Sequence, residues 1–172
     1  MTTPSETAVA ERDIALTPLT QENFAPFGQV LGPIEDGVPY GPEDAQLVLD
    51  NGTPRFYLMR LPKKGLVFHQ ITRHRQVTQC LASVGGKPWY VAAAPPGDVD
   101  DPDAEPAPED IRAFRIPGDV AIMLNVGTWH AGPFFEDEEI SFFNLELADT
   151  NVTDHQSCYL DRRYGVRFRF AV

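Results

Sequence analysis

The 172-residue chain carries 14 Lys and Arg against 25 Asp and Glu, a formal net charge of −11. So acidic a surface repels nucleic acid and anionic membranes, and neither is an expected partner. A hydrophobic fraction of 42% and a charged fraction of 23% fit one globular domain whose core needs no disulfide support.

Residues 1–13 are polar and are expected to be a disordered tail, with residues 14–172 forming a single domain. The opening MTTPSETAVAERD lacks the basic start and apolar run of a secretory signal. No stretch approaches the roughly 18 apolar residues of a membrane helix. Cys80 and Cys158 have no metal-binding or redox spacing, so they read as reduced thiols of a cytoplasmic protein.

LTPLTQENFAPFGQVL follows the tail. Thr20 is placed to cap a short helix through Glu22 and Phe24, which Pro26 and Gly28 end. From about residue 45, short apolar runs alternate with Gly, Pro and Asp. RFYLMRL, GLVFHQIT, TQCLASV, PWYVAAA, RAFRIP, VAIML, ISFFNLEL and VRFRF are expected strands. Many short strands without intervening helices indicate an all-β sandwich or barrel. Trp89, Tyr90, Phe142 and Phe143 are expected in its core.

Two acidic segments interrupt the strands. Residues 95–110, PPGDVDDPDAEPAPED, are expected to form a solvated surface loop. They lack the Gly and terminal Glu of an EF-hand calcium loop. EDEE, residues 136–139, reads as a charged hairpin turn.

Ligands on one barrel strand sit at i and i+2, because alternate residues share a face. The chain has Thr72-x-His74, then four residues, Gln79, six residues and Gly86. A second segment has Gly118 ahead of Asn125-x-Gly127-x-x-His130. These spacings resemble the two cupin motifs, with Thr72 for a His, Gln79 for a Glu, Asn125 for a Pro, and Gly118 one residue early. The resemblance implies a cupin-type double-stranded β-helix, a jelly-roll barrel with minor short helices.

The finer match is to the ureidoglycolate lyase family. Thr72-Arg73-His74-Arg75 with Gln79 is similar to its Glu-Arg-His-Pro…Gln segment. Gly127-Thr128-Trp129-His130-Ala131 is similar to its Gly-x-Trp-His-His segment. LTPLTQENFAPFGQVL, Asp50 to Arg55, VAAAPPGD and RAFRIPG resemble further family stretches in the same order, over roughly residues 16 to 145. Thr72 replaces the family Glu, Arg75 its Pro, Asn125 a His found in many members, and Ala131 the second His.

The resemblance implies a lyase that cleaves the C–N bond of ureidoglycolate to glyoxylate and urea. His74, His130 and Gln79 are the expected catalytic residues, and Arg55, Asn125 and Thr72 the expected substrate-binding residues. The same His74, Gln79 and His130 would make a weak or empty site for a divalent ion such as nickel, manganese or zinc, since Gln is a poor substitute for a carboxylate ligand. No organic cofactor is expected. Arg55, Arg73 and Lys87 are candidates to bind a carboxylate. Arg73 alternates away from His74, which favours Arg55. His69 has the wrong parity for the site, and His155 reads as exposed. Rival readings are an enzyme for another small hydroxy or keto acid, a metal-dependent oxygenase, and a non-catalytic binding module. A homodimer is expected, with VRFRF covering a sheet edge.

Overall fold

The structure is a computed structural model that describes residues 8–172. It is built from three β-sheets and three short helices. A central antiparallel sheet runs in the order β12 (Gln156–Tyr159), β5 (Gln70–Arg73), β10 (Trp129–Phe134), β7 (Trp89–Ala94), β8 (Arg112–Ile116). A facing antiparallel sheet runs β2 (Gly28–Leu31), β9 (Ala121–Leu124), β6 (Gln79–Ser83), β11 (Glu139–Leu147), β3 (Pro54–Pro62). A covering sheet of β1 (Ala10–Ala15), β13 (Val166–Ala171) and β4 (Val67–Phe68) closes the other side of the central sheet. The two five-stranded sheets give the expected all-β, cupin-like sandwich. Among the described residues no helix is long and apolar enough to cross a membrane.

The layering explains the sequence texture. β7 reads WYVAAA and is buried at every residue. Trp89, Val91 and Ala93 join the cluster between the two large sheets, with Phe24, Phe114, Ile122 and Phe142. Tyr90, Ala92 and Ala94 join the cluster under the covering sheet, with Phe68, Trp129 and Phe170. A strand covered on both faces has no polar face to alternate. β13 has only one covered face, so Val166, Phe168 and Phe170 point inward while Arg167 and Arg169 point out.

β13 is not a free edge to be covered by a second chain. It is the middle strand of the covering sheet, and β1 pairs with it in parallel. β1 therefore takes up residues 10–13 of the expected tail. Its polar composition reflects one solvated face, on which Glu11 pairs with Arg167 and Arg169. Residues 1–7 of that expected tail lie outside the described residues.

Thr20 caps α1 (Gln21–Phe24) as expected, its hydroxyl accepting from the Asn23 N–H at 3.0 Å. α2 (Thr150–Thr153) and α3 (Leu160–Tyr164) flank β12. Phe143 is a correction to the expected core. It is 40% exposed and stacks on Phe56 outside the facing sheet, because alternation along β11 sends Phe142 in and Phe143 out. EDEE does not turn a hairpin, since β10 and β11 belong to different sheets. It opens the crossover between them and pairs with Lys63, Lys87 and Arg60. Gly86 and Gly118 do meet: a Cβ on Gly118 would lie 2.0 Å from the Gly86 carbonyl carbon, so only glycine fits there.

Candidate active site

A cavity of about 460 Å³ opens between the central and facing sheets. Thr72, His74 and His130 line it from the central sheet, and Gln79, Asn144 and Glu146 from the facing sheet. β10 lies beside β5, with His130 directly opposite Thr72. The His74 and His130 rings lie 5.1 Å apart, centroid to centroid. Gly127, at φ +82°, turns the chain into β10, where alternation sends Trp129 under the covering sheet and His130 into the cavity.

Both imidazoles are held by their inner nitrogen. His74 Nδ1 lies 2.7 Å from the Asp154 carbonyl oxygen, and His130 Nδ1 lies 3.1 Å from that of Thr128. A carbonyl only accepts, so each Nδ1 carries the proton and each Nε2 keeps its lone pair. Burial pushes His130 down to about 3, and the neighbouring His74 adds to the shift. Burial also lowers His74, while the Asp154 carbonyl and the charges of Asp154 and Glu146 oppose that shift. Both are neutral near pH 7.

The opposite wall is polar and anionic. Glu146 is 1% exposed. Its carboxylate accepts from Tyr57 Oη, Asn151 Nδ2 and Gln79 Nε2, each at 3.2 Å. Gln79 Nε2 also donates to Asn144 Oδ1 at 3.1 Å, whereas its buried Oε1 has no partner.

Of the expected site residues, His74, Gln79, His130 and Thr72 share this cavity. Thr72 Oγ1 is 2.9 Å from Ser157 Oγ on β12. Two expected substrate-binding residues do not line it. Asn125 sits in the turn before β10, where its N–H donates to Phe27 and its carbonyl accepts from Thr128. Arg55 is exposed near the start of β3, with its guanidinium 3.6 Å from the Tyr57 ring centroid.

Arg73 and Lys87 are also excluded. Lys87 pairs with Asp137 at 2.9 Å. Arg73 is fully buried on the far side of the central sheet, over the Trp129 ring. It donates to the carbonyls of Pro96, Asp98 and Asp101 and to Gln156 Oε1. Arg75 donates to the carbonyls of Val99 and Asp100. The acidic loop is thus largely exposed, but two arginines pin it from below.

His69 lines the cavity, contrary to its parity. β4 ends at Phe68 and β5 begins at Gln70 in a different sheet, so alternation does not carry through His69. His155 is exposed as expected, yet it also lines the cavity, with its ring 5.7 Å from that of His74. Glu146 and Asn144 were missed by the motif reading. Their one sequence signal is the polar alternation Asn144-x-Glu146 inside an otherwise apolar strand.

A metal fits this donor set poorly. Among the described residues no three His, Cys, Asp or Glu side chains form a group able to hold an ion. The third residue of the motif, Gln79, is a neutral amide. Glu146 is already engaged by three donors. Cys80 and Cys158 are free thiols whose pKa burial raises to about 11, and neither lines the cavity.

A family model described as ureidoglycolate lyase matches residues 51–167. A ureidoglycolate lyase of Azotobacter vinelandii is 25% identical over 166 residues, covering 84% of this chain and 92% of that protein. One from Stutzerimonas stutzeri is 28% identical over 142 residues, covering 69% of this chain and 74% of its own length. One from Pseudomonas putida is 26% identical over 138 residues, with 69% and 75% covered.

Proposed function

The chain belongs to the ureidoglycolate lyase family, and from that premise we propose that it cleaves ureidoglycolate to glyoxylate and urea without a resident metal. The observation that carries the chemistry is the pair of imidazole Nε2 lone pairs on one wall, facing a cavity whose other wall holds the Glu146 carboxylate.

The substrate carbon bears a hydroxyl, a carboxylate and a urea nitrogen. Removing the hydroxyl proton lets the oxygen form the aldehyde carbonyl as the C–N bond breaks, and the leaving nitrogen must gain a proton. One imidazole can do both. It takes the hydroxyl proton at Nε2 and returns the same proton to nitrogen, so nothing is gained or lost. His74 suits this duty better than His130. The charges of Asp154 and Glu146 favour its protonated form, whereas His130 is more strongly desolvated. His130 then acts as a neutral acceptor that orients the substrate. Gln79, whose buried Oε1 has no partner in the protein, is assigned to the ureido end of the substrate.

Purified protein given ureidoglycolate should release urea and glyoxylate in equal amounts. Ammonia in place of urea would contradict cleavage at that bond. So would the absence of turnover with and without added divalent metal.

A second reading has a specific observation behind it. Thr72 and Ala131 line the cavity where the family resemblance implies Glu and His. That change favours a different small hydroxy or keto acid, and a panel of such acids tests it. The chain is further proposed to work as a cytoplasmic homodimer. The free thiols Cys80 and Cys158 suit a reducing compartment. The exposed Phe56, Leu58 and Phe143 on the outer face of β3 and β11 suit a second copy of the chain. Light scattering at micromolar concentration tests the dimer, and a monomer counts against it.

A further inference from the structure

A cavity for an anionic substrate needs a cation. The protein carries a net charge of −11, and Glu146 adds a carboxylate inside. The two central imidazoles supply no positive charge near neutral pH. Among the described residues, Lys64 is the only lysine or arginine that lines the cavity.

Lys64 lies on the connection between β3 and β4, at the rim beside Val67, Phe68 and Phe134. Among the described residues it has no ion-pair partner, unlike its neighbour Lys63, which meets Glu138 at 3.5 Å. Its ammonium lies 5.5 Å from the Phe134 ring centroid. The residue is exposed overall, yet the surrounding wall withdraws solvent from the ammonium and lowers its pKa. An ammonium held over an aromatic face at the edge of a cavity, with no carboxylate partner among the described residues, is open to an anion.

We propose that Lys64 binds the carboxylate of the substrate and thereby fixes which end of it faces the imidazoles. The inference deepens the lyase reading and rests on it for the substrate's identity. With the carboxylate at the rim, the ureido end is left for Gln79 and Glu146 on the facing sheet, and the carbon between them lies toward His74.

Glyoxylate carries the carboxylate without the ureido group, so its binding tests Lys64 apart from turnover. Glyoxylate affinity for wild type, Lys64→Ala, Lys64→Arg and Lys63→Ala is measured by isotope-edited NMR titration, with folding checked by circular dichroism. Loss of one charge-assisted contact should weaken glyoxylate binding by roughly 10–100-fold in Lys64→Ala. Lys64→Arg should restore most of it, and Lys63→Ala should bind as wild type does. KM for ureidoglycolate should rise in parallel in Lys64→Ala, with a smaller change in kcat. Equal glyoxylate affinity in wild type and Lys64→Ala overturns the proposal, even where wild type releases urea. Absence of glyoxylate binding by wild type overturns it as well. If wild type binds glyoxylate through Lys64 but does not cleave ureidoglycolate, the anion site stands and the lyase reading falls.

Discussion

On the central-sheet wall of the cavity, His74 and His130 donate their Nδ1 protons in hydrogen bonds to main-chain carbonyls, which leaves each Nε2 as a neutral acceptor. On the facing-sheet wall, Glu146 is surrounded by Tyr57, Asn151 and Gln79, all donating to it. One wall is set to receive a proton, and the other carries the charge that favours its arrival. Neither is sufficient alone. A neutral imidazole depressed by burial is a weak base, and the carboxylate oxygens of Glu146 are already engaged by three donors. In the proposed mechanism, proton transfer therefore draws on a pair of sheets, with the base on one and its counter-charge on the other.

Breaking the first wall should have the largest effect. His74→Asn keeps an amide N–H for the Asp154 carbonyl but removes the Nε2 base. Its kcat should fall by roughly 10²–10⁴ in a urea-release assay, while the protein stays folded. An unchanged kcat would remove His74 from the mechanism.

The burial of the imidazoles also links stability to pH. His130 is pushed down to about 3 in the folded chain and returns to its ordinary value near 6.5 on unfolding. Above pH 6.5 both states are neutral at this residue and it contributes no slope. As pH falls from 6.5 toward 3, only the unfolded chain takes up the proton, and the folded state loses up to a few kcal/mol. Denaturant melts between pH 8 and pH 4 should show this loss, and His130→Asn should flatten it.

Arg73 offers a contrast within the same motif strand, because it lies one residue from His74 and serves structure alone. Arg73→Met should leave the cavity chemistry in place. It should cost about 2–4 kcal/mol in urea denaturation, since three loop carbonyls and Gln156 lose their buried donor. A large fall in kcat with unchanged stability would reverse that assignment.

The smallest effect tests the coupling between the walls. The Glu146 charge raises the His74 pKa. Glu146→Gln should therefore move the acid limb of the kcat/KM profile to lower pH. A shift to higher pH would show that the carboxylate acts elsewhere.

Much of the fold and half of the site could be read from the chain. The eight apolar runs correspond to strands because Val, Phe, Ile and Tyr between Gly and Pro punctuation suit a half-buried pleated surface. The motif spacing brought His74, Gln79 and His130 together because strand parity and the Gly127 turn are local properties. β1, β2, β10 and β12 escaped notice. β1 is polar on its solvated face, and β10, WHAGPF, is interrupted by Gly and Pro. The second wall was hidden for a different reason. Glu146 lies 67 residues beyond Gln79, and only the pairing of β11 with β6 places them side by side. Arg55 was misplaced because its chemistry suits a carboxylate, while its position near the start of β3 puts it on Tyr57 instead. Lys64 was passed over because it lies in a connection, where parity has no meaning.

The proposed chemistry requires two neutral imidazoles that present Nε2 lone pairs to the cavity. Long-range ¹H–¹⁵N NMR of the histidine side chains in the wild-type protein tests it most directly. The expected result at pH 7 is Nδ1-protonated, Nε2-unprotonated rings for both His74 and His130, with His130 still neutral at pH 5. An imidazolium at either residue at pH 7, or protons on Nε2 instead of Nδ1, would contradict it.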